Sequence, residues 1–527
     1  MNPIEHFKAA TALYDQGRFT EAQAEYRRYL TLEPAVPEAW NDLGNCLVEL
    51  GKLDDAAMAF DNAVTGRPNF APIRANLAKC VAESGSIDSA VTLYRKTIEL
   101  DPSDRQIHSS LLYTLYFAPG ITKAQLIAEH REWAKRHADP LKLALRPHVN
   151  IPDPDRPLKV GYISSDFTTH PVGRFMLPLF VEHDRKRFEV FAYSAVKSPD
   201  DLTVRFKKYA GVWRDIRAMN DASAAELIRA DGIDILVDLS MHMGHHLGIF
   251  ARKPAPVQIT YLAYAGTTGL DAMDYRITDQ FLEGTAGSEE EFVEKPLFIP
   301  SYWCYKPPIW NIESAPPPSI KNGYVTFGCL NSFKKVSPII RDIWLELLGA
   351  LPNSRLMIHA GEGSHRGKFL DACAAKVDPG RIEFIGPQPM SDYLRQYSKI
   401  DIALDTFPYT GGTTTCDALW MGVPVVSLAG ELAVSRMGVS ILSTIGMPEL
   451  IAHSADEYIR IASNLAGSAA RLAKHHAGLR DAMKSSPLMD AKKFARGMET
   501  AYRKAWAAWC GGRSENRKVT KKEARAM

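Results

Sequence analysis

DIALDTFPYTGGTTTCDALWMGVPVVSLAG (401–430) is the stretch on which the fold of this chain turns. An apolar strand, DIALDTF, runs into Thr410-Gly411-Gly412-Thr413-Thr414-Thr415. That run leads directly into a helix-like segment, CDALWMG, ending at Gly422, and a second apolar strand, PVVSLAG, follows. Gly411 and Gly412 permit a tight turn, and three hydroxyls with the free amides of a helix N-terminus face whatever sits there. Such a place suits a phosphate or diphosphate, although a polar capping sequence reads the same way. Asp417 falls in the first helical turn, either near a nucleotide ribose or simply as a favourable charge at that end.

The same alternation extends in both directions. YVTFGCL (324–330), RLMIHA (355–360) and RIEFIG (381–386) precede this stretch. An earlier series holds LKVGYISSDF (158–167), RFEVFAYS (187–194), DILVDL (234–239) and VQITYLAY (257–264). Strands separated by helix-length segments predict parallel sheets covered by helices on both faces, with ligands outside the carboxyl strand ends. A proline-rich break, PPIW then APPPSIKNG (307–323), divides the two series into halves expected to meet at a crevice.

Two further side chains sit at predicted strand ends. Lys335, in CLNSFKKVSP (329–338), is placed to neutralise a diphosphate leaving group without a metal, or is one of a surface lysine pair. His170, in DFTTHPVG (166–173), is either a hydrogen-bonding partner or proton relay for an acceptor, or a helix cap. His242, His245 and His246 in MHMGHH invite a metal reading, but no patterned cysteine or carboxylate joins them, and no metal is expected.

The first hundred residues are periodic. Pro34, Pro68 and Pro102 lie 34 residues apart, as do Gly17, Gly51 and Gly85, then Ala22, Ala56 and Ala90, then Tyr26, Phe60 and Tyr94. Each unit reads as two short helices: the glycine turns between them, the alanine lets them approach, the aromatic fills their interface, and the proline opens the next unit. This pattern resembles the tetratricopeptide repeat, which stacks into a solenoid that serves as a peptide-binding groove, a dimerisation arm or a rigid spacer. The expected division is therefore 1–103 repeats, 104–157 helical cap and linker, 158–316 and 317–490 the two α/β halves, 491–510 a helix returning toward the first half, and 511–527 a disordered basic tail.

Composition agrees with a globular chain of about three domains at 527 residues. Sixty-three basic against 61 acidic residues leave a charge of +2, which argues against a broad nucleic-acid footprint. Seven scattered cysteines with no CxxC pair, no membrane-length apolar run and no signal-like start point to a reducing, cytoplasmic setting.

Taken in order, GYISSDFTTHPVG, FARKPAPVQITYLAYAGTTGLDAMDYRITD, FGCLNSFKKVSP, DIALDTFPYTGGTTTCDALWMGVPVVSLAGE and SRMGVSIL make the chain similar to the O-GlcNAc transferase family. The resemblance implies an α/α tetratricopeptide solenoid followed by an α/β GT-B fold of two Rossmann-like domains. It also implies inverting, metal-independent transfer of a sugar, N-acetylglucosamine from UDP-GlcNAc, to serine or threonine hydroxyls of a protein, with no cofactor. His170 then stands on the family's active-site histidine, as base or positioning group, and Lys335 on its diphosphate-contacting lysine. Gly266, Thr267 and Thr268 stand beneath the donor, and Gly411, Gly412, Thr413, Thr414, Thr415 and Asp417 around its diphosphate and ribose.

The chain departs from some relatives in having Gly412 and Tyr393 where they carry histidine, and Ser332 where they carry glutamine. The loop after Asp238 is one residue short. These changes leave open another UDP-hexose or a non-protein acceptor. A tetratricopeptide adaptor with an inactive transferase-like domain is the reading from a different class. A protein partner held by the repeat groove and a homodimer are expected associations; nucleic acid and membrane are not.

Overall fold

The repeats fold as paired helices: α1 (Pro3–Asp15), α2 (Phe19–Leu32), α3 (Pro37–Glu49), α4 (Leu53–Gly66), α5 (Ala71–Glu83) and α6 (Ile87–Leu100). Gly17, Gly51 and Gly85 take φ of +73°, +70° and +81° between the helices of each pair, a region open to glycine at no steric cost. Ala22, Ala56 and Ala90 are fully buried, and the ring of Phe60 lies against Gly44 where a side chain would collide with it. The repeating prolines do not open helices: Pro34, Pro68 and Pro102 lie in or at the turns, three residues ahead of the helix starts at Pro37, Ala71 and Arg105. Those starts keep the 34-residue spacing through α7 (Arg105–Leu115), one helix beyond the point where the side-chain pattern lapses. Packing of α7 on α6 preserves the stacking geometry without the signature residues.

This computed structural model describes residues 2–284, 288–308, 310 and 312–526; of 144, 288, 289 and 513–526 it describes the backbone only. The tail expected to be disordered covers 511–527: the backbone of 511–526 instead continues the helix that starts at Ala491, while the side chains of 513–526 and all of residue 527 lie outside the described residues. By contacts the chain divides into two compact units, each built from separated stretches. One contains 1–121, 310–430 and 449–480; the other contains 122–309, 431–448 and 481–527. The repeat array thus shares a unit with the second α/β half, whereas α8 (Lys123–His137) belongs with the first.

In the first half, β1 (Leu158–Ser164), β2 (Phe188–Ser194), β3 (Val212–Asp215), β4 (Ile235–Asp238), β5 (Val257–Thr260), β6 (Tyr275–Thr278) and β7 (Lys295–Phe298) form a parallel sheet. Among the described residues its order is 3-2-1-4-5-6-7. In the second half, β8 (Val325–Cys329), β9 (Ser354–His359), β10 (Ile382–Ile385), β11 (Ile402–Leu404), β12 (Val425–Leu428) and β13 (Ile451–Ala452) pair as 10-9-8-11-12-13, also parallel. Both are Rossmann-like, with β1 and β8 central and the strand order reversing beside them. Sequence reading does not register β3, β6, β7 and β13. Each holds only two apolar side chains within its bounds and sits toward a sheet edge, so it prints no apolar run.

The helix Ala491–Ala526 packs on α9 (Pro171–Glu182) within the unit of the first half. Glu499 accepts from the amide of Asp184 at 2.8 Å and pairs with His183 at 3.0 Å, while Arg156 lies over the ring of Trp506. Among the described residues, no helix is long and apolar enough to cross a membrane.

Candidate active site

The 410–415 turn is built on a carboxylate that sequence reading passes over. Asp405 follows the end of β11, fully surrounded, and its Oδ1 accepts from the amides of Gly411 at 2.7 Å and Thr406 at 2.9 Å. Its Oδ2 accepts from Ser427 at 2.7 Å. Burial pushes this carboxyl up to about 6, against the pull of its hydrogen bonds and of Lys335. An acid closing an apolar strand just ahead of a glycine turn was the signal in the sequence.

The turn delivers the helix Thr413–Trp420, with Gly412 at its N-cap and no side chain capping it. Thr413 and Thr414 are half-buried at the open end; Thr415 and Asp417 are buried. A Cβ on Gly411 would stand 2.4 Å from Thr415 Oγ1, 3.1 Å from Asp405 Oδ1 and 3.2 Å from Asn331 Oδ1. Thr415 Oγ1 and Asn331 Oδ1 are buried without a hydrogen-bond partner in this structure. The free amides of the first helical turn and this polar lining suit an anion.

Lys335 closes the same unit's site. Its ammonium donates to the carbonyl of Thr410 at 3.0 Å and lies 4.4 Å above the centre of the Tyr409 ring. Burial pulls it down to about 8; Asp405 opposes that fall and the neighbouring Lys334 adds to it. Lys334 itself turns away, bonded to Glu83 of the third repeat at 2.7 Å. Sequence reasoning separates the pair only through the resemblance, because adjacent lysines in one turn look equivalent. Tyr393 donates to the carbonyl of Leu330 at 3.2 Å, and Tyr397 to that of Thr414 at 3.2 Å, so two tyrosines brace the strand end and the threonine turn.

His170 belongs to the other unit. It is the N-cap of α9: its Nδ1 accepts from the amide of Val172 at 3.3 Å, and its side chain is 41% exposed. Capping and an outward ring are thus compatible. The loop carrying it is tied down by Asp200, whose Oδ2 accepts from the amide of Thr169 at 2.6 Å, and by Thr203, which donates to the carbonyl of Phe167 at 2.8 Å. Gly173 is required there, since a Cβ would meet the carbonyl oxygen of Thr168 at 2.1 Å.

Gly266, Thr267 and Thr268 are buried in the same unit. Thr267 donates to Glu294 at 2.8 Å, the amide of Thr268 donates to the same carboxylate at 2.7 Å, and the Thr268 hydroxyl also bonds it. These hydroxyls shape the loop. Behind them His242 pairs with the Thr268 carbonyl at 3.0 Å and packs against the rings of His130 and Trp133 on α8. Among the described residues, no three His, Cys, Asp or Glu side chains converge as metal ligands, and the MHMGHH histidines form no such cluster. In the repeats, Leu30, Trp40, Leu43, Met58 and Asn62 line a groove of about 530 Å³.

Comparison with known proteins identifies the surroundings of these residues. The model of glycosyl transferase family 41 matches residues 104–305 and 318–498, and tetratricopeptide models match 7–72 and 50–112. A solved O-GlcNAc transferase mutant of Thermobaculum terrenum superposes with a TM-score of 0.89 at 35% identity, covering 97% of this chain and 99% of that one. A probable UDP-N-acetylglucosamine–peptide N-acetylglucosaminyltransferase, SPINDLY, of Oryza sativa subsp. japonica is 38% identical over 434 residues, 80% of this chain and 46% of its own length. The UDP-N-acetylglucosamine–peptide N-acetylglucosaminyltransferase of Caenorhabditis elegans is 26% identical, over 77% of this chain and 46% of its own. The chain spans about half the length of these curated relatives.

Proposed function

The chain belongs to glycosyl transferase family 41, and on that premise we propose that it transfers a sugar from a UDP donor, N-acetylglucosamine foremost, to a serine or threonine hydroxyl of a protein. The observation that carries this reading is that the Lys335 ammonium bonds the Asp405-held turn that leads into the open end of the helix Thr413–Trp420.

In the reaction the acceptor oxygen attacks the anomeric carbon from the side opposite the diphosphate. One C–O bond forms as the bond to the β-phosphate oxygen breaks, UDP leaves with the electron pair, and the hydroxyl proton passes to solvent or the departing phosphate. Negative charge grows on the diphosphate, where the Lys335 ammonium and the helical amides stabilise it without a divalent ion. A preset turn supplies this stabilisation with little reorganisation at the moment of reaction. His170 acts as a positioning group: with Nδ1 accepting from Val172, the neutral ring carries its proton on Nε2 and presents a donor rather than a base.

The protein acceptor is reached through the repeat groove, and the seven cysteines, all buried and none in a disulfide, fit a cytoplasmic setting. A second reading, another UDP-hexose, is favoured by Tyr393, whose hydroxyl is committed to Leu330 where some relatives carry histidine. The test is a panel of nucleotide sugars incubated with the protein and a cell lysate, read by intact mass. A mass gain of one N-acetylhexosamine from UDP-GlcNAc is expected. Transfer from no UDP-sugar would overturn the proposal.

A further inference from the structure

Lys334 and Lys335 are consecutive in a single 3-10 turn, Phe333–Lys335, yet they serve opposite sides of one aromatic stack. Lys335 lies 4.4 Å over Tyr409. Tyr409 stacks on Phe117, centroids 4.6 Å apart and planes 16° from parallel. Lys334 in turn lies 5.4 Å from the centres of both Phe117 and Tyr113. Glu83, the last residue of α5, holds Lys334 at 2.7 Å and receives the Ser332 hydroxyl at 3.3 Å. The Tyr409 ring under Lys335 is therefore backed by Phe117, from the turn after α7, and the neighbouring Lys334 is held by Glu83 of the repeat array, all in one unit.

We propose that Glu83 is a positioning residue for Lys335: its carboxylate cancels the charge of Lys334 so that the adjacent ammonium keeps its proton and its seat on Tyr409. The proposal rests on the reading of Lys335 as the donor's diphosphate ligand. It makes the repeat array part of the transferase site itself.

The electrostatics follow from the groups that face each amine. Around Lys335 are Asp405 and Cys329 from strand ends, Lys334 from its own turn, and the rings and carbonyl already named. Around Lys334 are Glu83, Tyr113 and Tyr94. Burial works against both ammoniums, but Glu83 with Tyr113 and Tyr94 more than offsets it for Lys334, which stays charged well above the usual lysine range. Lys79 also faces Glu83 and helps keep that carboxyl below its usual value against burial. With Glu83 neutral, the Lys334 ammonium stands uncompensated beside Lys335, whose own counter-charge is Asp405, and the pair loses its first proton at lower pH.

Trace acetylation of the whole chain with acetic anhydride across a pH series, read by peptide mass spectrometry, reports the neutral fraction of Lys335 directly. Glu83→Gln is expected to shift its labelling midpoint down by about one unit, with donor turnover near pH 8 reduced about fivefold. Glu83→Gln/Lys334→Met removes the stranded charge and is expected to return the midpoint to at least its original position. Asp54→Asn cuts a different contact of the array, the 2.7 Å bond to the Ser364 amide, and is expected to leave it unmoved. An unchanged midpoint in Glu83→Gln, or no recovery in the double variant, overturns the proposal. UDP should protect Lys335 from acetylation in the unaltered chain. Lack of protection alongside a shifted midpoint in Glu83→Gln would count against the donor reading alone.

Discussion

The amide of Gly411 donates to Asp405 Oδ1 over 2.7 Å, tying the glycine turn to the end of the strand before it. Asp405 also faces Lys335, so one carboxylate sets both the shape and the charge of the proposed diphosphate site.

Asp405→Asn keeps an acceptor for the Gly411 and Thr406 amides and removes the charge. Thermal unfolding is expected to change by a few degrees, on the order of 1 kcal/mol. UDP affinity should nonetheless fall about tenfold, because Lys335 loses the counter-charge that opposes its desolvation. Calorimetric titration with UDP checks this. A stable variant with unaltered affinity would separate the turn from the site.

Lys335, pulled down to about 8 by burial, makes donor binding fall as pH rises through that value, since only its ammonium stabilises the diphosphate. The bound anion raises the same group's pKa, so the protein should take up protons on binding UDP near pH 8. Titrations in two buffers of different ionisation enthalpy measure that uptake. Lys335→Met is expected to abolish it and to cost about a hundredfold or more in turnover.

Gly411→Ala inserts a Cβ 2.4 Å from Thr415 Oγ1. The hydroxyl can rotate away, but the turn must also clear Asp405 and Asn331, for a loss of about 1–3 kcal/mol. Donor KM should rise more than kcat falls, because the geometry lost is that of the anion seat.

His170→Asn tests positioning against base chemistry. Asparagine is a good N-cap, so Oδ1 can still accept from Val172 while Nδ2 donates outward; it cannot take a proton. It should retain about tenfold more activity than His170→Ala, measured as product formed per enzyme. Equal loss in both variants would favour a base.

Gly173→Ala should disturb the same loop from behind. Its Cβ would press on two backbone carbonyls, those of Thr168 and Asp166, neither of which can rotate away as a side chain does. Destabilisation of about 2 kcal/mol or more is expected, with turnover falling alongside as His170 loses its fixed cap. Denaturant unfolding measures the first effect.

The architecture was legible because its signals are periodic or run-like. The 34-residue spacing printed the helices of the repeats, and strands such as Phe188–Ser194 printed as apolar runs. The Thr410–Thr415 run printed a glycine turn leading into a helix. Glu83 and Glu294 were not legible, because each acts by pairing with residues far away in sequence, and one acid in a string of letters does not reveal what it faces; Asp405 was overlooked although its place just ahead of the glycine turn marks it. In the GTTG loop, likewise, the letters do not show that the Thr267 and Thr268 hydroxyls both bond Glu294.

Repeat number is under unequal constraint at the two ends of the array. Leu53, Asp54 and Glu83 hold the second and third repeats to Glu362, Ser364 and Lys334, and Phe117 is registered on Tyr409. Helices inserted between Leu100 and Arg105 would carry off that registration, whereas helices added ahead of Pro3 would leave it in place. Evolution can therefore lengthen the arm outward while its inner end stays as fixed as any strand of the sheet.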